Sequence, residues 1–563
     1  MTATRPGRTP VLIVGAGPVG LALAGDLAWR GVRCTLVDKG DGVVDQPRMD
    51  MVGIRTMEFC RRWGIVDWVE NAGYNRDYPQ DCAWVTTLTG YEFGREIFPS
   101  PSREKCPPQS PQKRERCPQN FFDPVLARFA RGSGLVDIQY HTELLSFEDR
   151  GGGVIATLRD PRTDEIRAIE ADYLVGCDGG SSRIRQGLGI GMSGEPALTF
   201  TTNAVFRCEG LEQLHDKKAG YRFIFIGPEG TWATLVAING RDQWRFSLVG
   251  DDQRRAISEA EMRHAILRAV GCEFDFEILS MLPWVRRQLV ADSYGRGRVF
   301  IAGDSAHLTS PTGGFGMNTG ILDAVNLSWK LAASLQGWGG EHLLDSYELE
   351  QRPVAIRNVT EAGDNLKRML SPRILRPDPR VFDESNPEVE NARKEYGDRY
   401  TEMMRREWFS IGIHLGYVYE GSNINIPDGT PRPPGHVQTY EQTARPGSRA
   451  PHVWLADGKS MLDLYGRSFV LLRLGEEVPD VQPLIQVAQR ACVPIEVVDI
   501  RHAEAERVYE RKLVFVRPDG QVAWRGDTAP TDIIEWINRI RGQCAPDRAA
   551  QQSDTAAAQL AEH

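Results

Sequence analysis

Hydrophobic and polar positions near the start of the chain form three successive patterns. Residues 11–14 (VLIV) are an apolar run, GAGPVG follows, LALAGDLAWRGV repeats apolar residues at helical spacing, and residues 34–37 (CTLV) are a second apolar run. Short apolar runs beside glycines are typical of buried strands, whereas the longer periodic stretch is typical of a helix. The pattern predicts a strand, a glycine turn, a helix and a second strand over residues 11–38.

Two later segments repeat an apolar run that ends at glycine and aspartate. ADYLVGCDGG brings a strand-like run to Asp178 and Gly179, and VFIAGD brings another to Asp304. PTGGFGMNTG follows Asp304, and apolar residues then recur at helical spacing at Ala324, Leu327, Leu331 and Leu335. We therefore expect two more strands that end at an acid, the second followed by a glycine loop and a long helix.

The rest of the chain divides by pattern into further parts. Residues 190–290 contain short alternating runs (YRFIFIGP, GTWATLVAI, QWRFSLVG), which predict an antiparallel sheet with one face in water. Residues 95–117 are rich in proline and charge and predict a long surface loop or lid. Beyond residue 375, ARKEYGDRYTEMMRREWF predicts a helix, and residues 445–545 have the runs of a separate α/β domain.

Composition narrows the class of protein. The chain has 563 residues, of which 41% are hydrophobic and 25% charged, as in soluble globular proteins of about two or three domains. The net charge is −9, and no run of lysine or arginine would form a nucleic-acid or membrane surface, so small-molecule partners are favoured. No segment approaches the ~20 apolar residues of a spanning helix.

The cysteines point to a reducing compartment. The ten cysteines are scattered, with no CxxC and no cysteine–histidine group at metal-ligand spacing. We expect reduced thiols, no metal site and a cytoplasmic protein.

The glycines of the first turn have a specific chemical use. Gly15, Gly17 and Gly20 form GxGxxG between a strand and a helix, and Asp38 ends the next strand. This context is typical of a dinucleotide site, in which glycines let the backbone approach a pyrophosphate and the acid accepts hydrogen bonds from a ribose. Because a carboxylate repels a 2′-phosphate, the motif predicts the ADP half of FAD or NAD and not NADP.

The other two acids are expected at the same edge of the sheet. An acid at the end of a parallel strand points into the crevice where ligands of α/β sheets bind. Asp178 and Asp304 would meet sugar or ribityl hydroxyls there, or would cap a helix or loop, which is the commoner role of a single aspartate. The glycines after Asp304 let a flat ligand lie against the backbone, and the helix N-terminus favours an anionic group.

The order GxGxxG, DG and GD over residues 9–375 resembles class A flavoprotein aromatic hydroxylases, the single-component FAD monooxygenases of the p-hydroxybenzoate hydroxylase type. The run AGDSAHLTSPTGGFGMNTGILDAVNLSWKL carries most of this likeness. PGSRAPHVWL and VRPDGQVAWRG resemble the thioredoxin-like C-terminal domain of the phenol hydroxylase branch. Since the thioredoxin CxxC is absent, a structural or dimer-forming role is left for that domain.

The resemblance implies an α/β fold with five parts. A Rossmann-like FAD-binding domain would comprise residues 1–80, 105–190 and 290–375, and an inserted antiparallel-sheet substrate domain residues 81–104 and 191–289. A helical connector (376–440), a thioredoxin-like domain (441–545) and a disordered tail (546–563) would follow. A homodimer is also implied.

The resemblance also assigns residues to FAD. The ADP part would be bound at the first turn and the next strand end, the ribityl chain at Asp304, and the isoalloxazine at the glycine loop, with the Pro311 carbonyl close to the reacting position. The implied cofactor-binding residues are Gly15, Gly17, Pro18, Gly20, Asp38, Lys39, Arg48, Gln119, Leu144, Asp178, Gly179, Asp304, Pro311, Gly314, Met317 and Asn318.

The implied reaction uses NADPH or NADH, which the sequence does not distinguish, to reduce FAD. O2 then forms a C4a-hydroperoxyflavin, whose distal oxygen is attacked by an electron-rich phenolic ring. Asp50 precedes Arg55-Thr56-x-Glu58 at the spacing of the acid that faces the phenol in phenol hydroxylases, although a helix cap is the alternative. His307 is expected to make a structural hydrogen bond.

The aromatics of the middle sheet are candidates for the substrate pocket, with core packing as the alternative for each. They are Tyr221, Phe223, Phe225, Trp232, Trp244 and Phe246.

Several functions fit this picture. The main interpretation is a hydroxylase of a simple substituted phenol in aromatic catabolism, and the alternative is a hydroxylase of polycyclic polyketide-type aromatics in secondary metabolism. Flavin halogenases of this fold carry W-x-W-x-I-P, which the sequence lacks. A non-catalytic flavin-binding assembly protein is the alternative from another class.

Overall fold

The computed structural model describes residues 7–251 and 253–545, so the predicted disordered tail lies outside the described residues. Its first sheet has eight strands, and the middle of that sheet is parallel. The strands, in spatial order, are Gly295–Arg296, Val299–Ile301, Ile166–Gly176, Gly7–Val14, Cys34–Val37 and Val136–Gln139, with Val154–Arg159 and then Glu143–Asp149 joined to Ile166–Gly176.

The register of the first sheet brings the predicted motifs together. Val14 pairs with both Val37 and Gly176, and Gly176 pairs with Ile301, so four parallel strands end at one level. The glycine turn and the three acids follow directly after these ends. They therefore share one edge of the sheet, as predicted.

Helices cover the first sheet, and the apolar side chains between the helices and the sheet form its hydrophobic core. The long helix Phe315–Leu335 packs against Pro18–Trp29, where a Cβ at Gly320 would lie only 2.5 Å from the Val19 side chain. The predicted helix after the glycine loop is thus present and closely packed. The helices of this part are Pro18–Trp29, Ile54–Trp63, Val66–Glu70, Gln119–Gly132, Arg183–Gly187, Phe315–Leu335 and Ser346–Leu370, with a 3-10 turn at Gly303–Ser305.

The second sheet is the predicted antiparallel sheet of the middle region, with one parallel pair. One face packs on helix Glu259–Val270 through a second core. Its strands, in spatial order, are His307–Leu308, Glu277–Ala291, Met192–Arg207, Gln243–Asp251, Gly230–Ala237, Arg222–Gly227, Cys82–Val85 and Glu92–Glu96. A 3-10 turn lies at Leu211–Leu214.

Two expectations for this region are wrong. The sheet does not have a face in water along its centre, because every residue of Gly230–Ala237 is buried, and helices Ser346–Leu370 and Pro387–Trp408 cover its other face. The proline-rich segment is not simply a surface loop. Its end forms strand Glu115–Arg116, which pairs with Met51–Val52, and several of its polar residues are buried within ion pairs and hydrogen bonds.

The C-terminal part has a four-stranded sheet in the order Ile495–Ile500, Phe469–Leu474, Leu513–Val516 and Val522–Gly526. The first pair is parallel and the others are antiparallel, with helices Gln482–Arg490 and Ile533–Ile540 packed together, as in a thioredoxin-like domain. The remaining helices are Arg380–Asp383, Pro387–Trp408, Ile411–Leu415 and Ala503–Tyr509, with 3-10 turns at Ser371–Arg373 and Met461–Leu464.

Buried charges join the C-terminal part to the rest. Glu58, on helix Ile54–Trp63, accepts hydrogen bonds from Arg55 at 2.7 Å and from Arg449 at 3.0 Å. Arg517 donates to Glu350 at 2.6 Å, and all five side chains are almost completely buried. Within residues 7–251 and 253–545, no helix has the length and apolar composition that crossing a bilayer requires.

Candidate active site

The glycine turn has one position that the protein itself does not fill. A Cβ at Gly15 would lie 2.1 Å from the Cys177 carbonyl oxygen, and one at Gly20 would lie 1.9 Å from the Gly15 oxygen, so both must be glycine for packing. A Cβ at Gly17 would meet no protein atom within 4 Å. Gly17 therefore faces open space just before Pro18, the first residue of helix Pro18–Trp29, where a pyrophosphate fits.

Asp38 closes this turn. Its Oδ2 accepts from the Ala16 N–H and its Oδ1 accepts from the Gly40 N–H, both at 2.7 Å. Each carboxylate oxygen retains a second acceptor position, which suits a ribose hydroxyl. The next residue, Lys39, is exposed.

Ser305 joins the second and third motifs. The Gly179 N–H donates to Ser305 Oγ at 3.0 Å, and that hydroxyl donates to Asp178 Oδ1 at 3.0 Å. Asp178 Oδ2 accepts from the Arg183 N–H at 2.8 Å, at the start of helix Arg183–Gly187. Asp178 thus has the helix-capping role that the sequence left open.

Asp304 differs from the other two acids. Its side chain is exposed to the crevice, yet protein surrounds it, and this removal from water raises the pKa of Asp304 while His307 and Arg48 lower it. Within the described part of the chain the carboxylate has no hydrogen-bond partner. Because the carboxylate is open to the crevice and not used by the protein, it can accept hydrogen bonds from a ligand that presents hydroxyls.

The remaining predicted residues around the crevice have protein partners. The Arg48 N–H donates to Gln119 Oε1 at 3.1 Å, which joins these two positions. Leu144 is buried in its strand, and its carbonyl accepts from Arg183 at 3.2 Å. His307 pairs with Asp323 at 2.8 Å, which is the structural hydrogen bond expected for it.

The entrance of helix Phe315–Leu335 is a tight glycine turn. The Pro311 carbonyl accepts from the Gly314 N–H at 3.0 Å, and Gly314 has a φ of +68°. The Asn318 side chain accepts from the Gly53 N–H and donates to the Gly314 carbonyl, both at 2.8 Å, so protein groups occupy it. Met317 is partly exposed. The N–H groups of the first helical turn are the donors left for a flat, electron-rich ligand.

Asp50 contacts two arginines and a tyrosine where the short strand pair Met51–Val52 and Glu115–Arg116 meets the second sheet. Its Oδ1 accepts from Arg116 at 3.0 Å, and its Oδ2 accepts from the Tyr221 hydroxyl at 2.6 Å and from Arg245 at 3.1 Å. Burial would raise the pKa of Asp50, but Arg116, Arg245 and Tyr221 together hold it below its ordinary value. Asp50 is therefore ionised at neutral pH.

Asp50 is not a helix cap. Helix Ile54–Trp63 is capped by Gly53, and within the described residues no side chain accepts a hydrogen bond from its first turn. Because Oδ2 accepts two hydrogen bonds and Oδ1 only one, Oδ1 retains one acceptor position. A hydroxyl group of a ligand can occupy that position.

The aromatic candidates of the sheet divide by face. Tyr221 reaches Asp50, as a pocket residue would. Phe223, Trp232 and Trp244 belong to the core against helix Glu259–Val270, as do Phe225 and Phe246, so their prediction as pocket residues is wrong. Tyr221 precedes strand Arg222–Gly227, so the alternation that puts Phe223 and Phe225 on the helix-covered face does not extend to Tyr221.

The arginine partners of Asp50 were not identified from the sequence. Arg245 lies between Trp244 and Phe246, so core positions for those two aromatics put Arg245 on the other face. The alternation of side chains between faces along that strand was the sequence signal that could have identified Arg245. No sequence signal identified Arg116, since it reaches Asp50 through the pairing of two short strands that are far apart in the sequence.

Two family models match most of the chain. Residues 8–362 match the model described as FAD binding domain, and residues 443–544 match the model described as aromatic-ring hydroxylase, C-terminal. The chain belongs to the FAD-dependent aromatic-ring hydroxylases. This confirms the predicted class A family, the fold class and FAD as cofactor, with NAD(P)H and O2 as cosubstrates.

The hydroxylase is similar over its length to proteins with different named roles. It is 34% identical to a putative polyketide hydroxylase of Streptomyces halstedii over 92% of this chain and 93% of that protein. It is 31% identical to the 4-methyl-5-nitrocatechol 5-monooxygenase of a Burkholderia species over 93% of this chain and 96% of that protein. These matches confirm an aromatic monooxygenase and exclude the non-catalytic alternative.

A solved structure has the same architecture. The rebeccamycin biosynthetic enzyme RebC with reduced flavin superposes with a TM-score of 0.87 at 38% identity, covering 96% of this chain and 100% of that one. The predicted substrate class is confirmed only as a small aromatic molecule. The comparisons favour the polyketide-type alternative over the simple phenol that was the main interpretation.

Proposed function

We propose that this hydroxylase adds oxygen to a phenolic ring of a polycyclic, polyketide-type aromatic substrate in secondary metabolism. The observation that carries the chemistry is the ionised Asp50 with one free acceptor position on Oδ1. The substrate size is supported by the likeness to a polyketide hydroxylase and to a biosynthetic enzyme. The nitrocatechol relative keeps a single-ring phenol as the second candidate.

The crevice would hold FAD along one line of residues. Gly17 and the helix after it would bind the pyrophosphate, Asp38 the ribose, Asp304 the ribityl chain, and the first turn of helix Phe315–Leu335 the isoalloxazine. FAD held by these residues would supply the redox chemistry, namely reduction by NAD(P)H and transfer of one oxygen atom of O2 to the ring. The helix N-terminus stabilises negative charge on the reduced ring.

Asp50 would orient and polarise the phenol. Its Oδ1 accepts a hydrogen bond from the phenolic hydroxyl, which raises electron density on the ring that must attack. Because its pKa is low, Asp50 is a weak base, and Arg116 and Arg245 share the stabilisation of a developing phenolate. Burial, together with the Asp50 charge, keeps the pKa of Tyr221 above its ordinary value, so Tyr221 remains a neutral donor.

A substrate panel tests the proposal. Purified holoenzyme is given simple phenols, hydroxybenzoates, nitrophenols and polycyclic phenols, and NAD(P)H oxidation is measured together with hydroxylated product and hydrogen peroxide. We expect coupled product formation with polycyclic phenols and largely peroxide with single-ring phenols. The opposite ranking would favour the single-ring alternative, and no phenol-dependent oxidation with any substrate would contradict the proposal.

Three further points accompany it. The homodimer and the cytoplasmic location remain predictions, and the sequence does not distinguish NADH from NADPH. Size-exclusion chromatography with light scattering tests the first, and comparison of kcat/KM for the two nucleotides tests the third.

A further inference from the structure

A buried acid from the connecting segment reaches the glycine loop at the proposed isoalloxazine site. Glu407, near the end of helix Pro387–Trp408, is 3% exposed and lies between the two matched family ranges. Its Oε1 accepts from the Gly313 N–H at 3.2 Å and from Arg222 at 2.9 Å. The candidate active site described above does not include this contact.

The glycine loop, residues 311–314, depends on outside contacts for its shape. Gly313 and Gly314 have φ values of +87° and +68°, both in the left-handed region. The Pro311 carbonyl accepts from the Gly314 N–H at 3.0 Å within the loop, and Thr312 Oγ1 donates to the Ala362 carbonyl at 2.6 Å. The acceptor of the Gly313 N–H lies 94 positions further along the chain. Because glycines have little conformational preference of their own, such contacts determine where the loop lies.

The charge of Glu407 acts on two arginines beside the loop. Arg222 is largely buried and forms an ion pair with Glu407. Burial and Arg222 lower the pKa of Arg286 to about 9, and Glu407 opposes this change. Without Glu407, neither arginine would have an acidic partner in the described part of the chain. Glu407 therefore offsets positive charge at this point of the site.

Arg222 extends the contact to the substrate side of the site. It is the first residue of strand Arg222–Gly227 and follows Tyr221, whose hydroxyl donates to Asp50 at 2.6 Å. One carboxylate thus connects the residue after Tyr221 to the loop that leads into the isoalloxazine site. A shift of the Glu407 side chain would move both.

We propose that Glu407 is a positioning residue, which holds the glycine loop in place for the isoalloxazine and offsets the charge of Arg222 and Arg286 beside the reduced ring. The inference rests on the proposed placement of the isoalloxazine at the entrance of helix Phe315–Leu335. Reduced flavin carries negative charge, which nearby cations stabilise and a nearby carboxylate destabilises. Glu407 would thereby set both the affinity for FAD and the ease of its reduction.

Glu407→Gln separates the charge from the contact. The amide keeps an oxygen that can accept from the Gly313 N–H, but the negative charge is lost. We expect reduced FAD to gain about tenfold in affinity relative to oxidised FAD, which raises the two-electron midpoint potential by about 30 mV. The potential is measured on substrate-free holoenzyme by equilibration with reference dyes. An unchanged potential would contradict the charge role.

A double variant removes the contact without leaving Arg222 unpaired. Glu407→Leu with Arg222→Met replaces the ion pair by apolar side chains of similar size, which proteins often tolerate. Since the Gly313 N–H is no longer held, we expect FAD to bind about tenfold more weakly, with shifted visible absorption bands and less product per NAD(P)H. Wild-type FAD affinity and an unshifted spectrum would overturn the loop role, even if the melting temperature falls.

Glu361→Gln is the matched control. Glu361, on helix Ser346–Leu370, is 6% exposed and pairs with Arg368 at 3.0 Å and with Arg406 at 2.8 Å. Its carboxylate makes no hydrogen bond to the glycine loop among the described residues. The control should lower the melting temperature and leave the FAD affinity, spectrum and potential unchanged. Equal changes of potential in Glu361→Gln and Glu407→Gln would overturn the assignment.

Turnover with the phenol panel tests the proposed function separately. The affinity, spectrum and potential of FAD are measured without substrate, so they do not depend on which phenol is hydroxylated. A raised potential in Glu407→Gln, with no hydroxylation of any phenol by the wild type, would support the role of Glu407 and contradict the proposed function. Normal hydroxylation with none of the expected FAD changes would do the reverse.

Discussion

The Tyr221 hydroxyl donates a hydrogen bond to Asp50 Oδ2 at 2.6 Å, across 171 positions of the sequence. It joins the segment before strand Met51–Val52 to the residue that precedes strand Arg222–Gly227, and so connects the short strand pair Met51–Val52 and Glu115–Arg116 to the second sheet. With Arg116 and Arg245, it determines which acceptor position of Asp50 is left for a substrate.

Substitution at Asp50 should impair oxygen transfer more than reduction of the flavin. Asp50→Asn should lower coupled hydroxylation by about 10²–10³-fold, because an amide keeps the shape but withdraws the negative charge from the phenol. Tyr221→Phe should cost about tenfold, since only one partner of Asp50 is lost. The measurement is hydroxylated product per NAD(P)H consumed, with FAD content as the control. Unchanged coupling in Asp50→Asn would remove Asp50 from the mechanism.

Two glycines of the first turn should separate cofactor binding from folding. In Gly17→Ala the new Cβ meets no protein atom, so we expect normal stability of the apoprotein and weakened FAD binding. In Gly20→Ala the Cβ would lie 1.9 Å from the Gly15 oxygen, so we expect poor folding. Gly132→Ala, which also adds a Cβ in open space, is the control. Thermal melting and FAD titration measure both effects, and full FAD affinity in Gly17→Ala would contradict the site.

Substitution of the acids of the second and third motifs should have different effects on the stability of the apoprotein. Asp178→Asn should lower the melting temperature, because both of its oxygens accept from protein groups. Asp304→Asn should leave the apoprotein as stable or more so, since burial raises the pKa of this unpaired acid, and should weaken FAD binding. FAD affinity unaffected by Asp304→Asn would remove that residue from the cofactor site.

Low pH should weaken the buried ion pairs of Glu58 that join helix Ile54–Trp63 to the C-terminal part. Burial opposes ionisation of Glu58, but Arg449 and Arg55 lower its pKa from 4.5 to about 2. A folded-state pKa below the unfolded one stabilises the fold fully above about pH 4.5, and this contribution, about 3 kcal/mol, is lost as the pH falls towards 2.

Glu58→Gln should therefore melt lower than the wild type at pH 7, and the difference should narrow below about pH 4.5. The partly exposed pair of Glu420 with Arg445 offers the control Glu420→Gln, which should change stability by less than about 1 kcal/mol. A Glu58→Gln melting difference that stays constant down to pH 3 would show that the carboxylate charge is not what stabilises this junction.

The cofactor side of the site was largely predictable, because each motif is contiguous. Gly15, Gly17 and Gly20 act through local spacing, and the strand ends that follow bring Asp38 and Asp304 to the same edge by parallel pairing. The sequence pattern could not distinguish an acid that is hydrogen-bonded to the protein from one that is free to bind a ligand. Asp178 is used by Ser305 and by the next helix, and this depends on contacts across 127 positions.

The substrate side was poorly predicted for a related reason. Composition suggested a surface segment around residue 110, but Ser110 donates to Glu58 at 2.6 Å and is buried. Aromatic content suggested that Phe223 and Trp244 line a pocket, but burying large apolar side chains under a helix is more favourable, and it leaves the other face to arginines.

The sequence by itself determined the flavin-binding architecture, since glycine turns, strand ends and helix entrances are set by residues adjacent in the chain. Only the tertiary structure decided which groups surround the proposed substrate position. Asp50, Arg116, Tyr221 and Arg245 come from separate segments, and strand register and the choice of face bring them together. Both depend on which apolar surfaces pack against one another across the whole molecule, which no local pattern records.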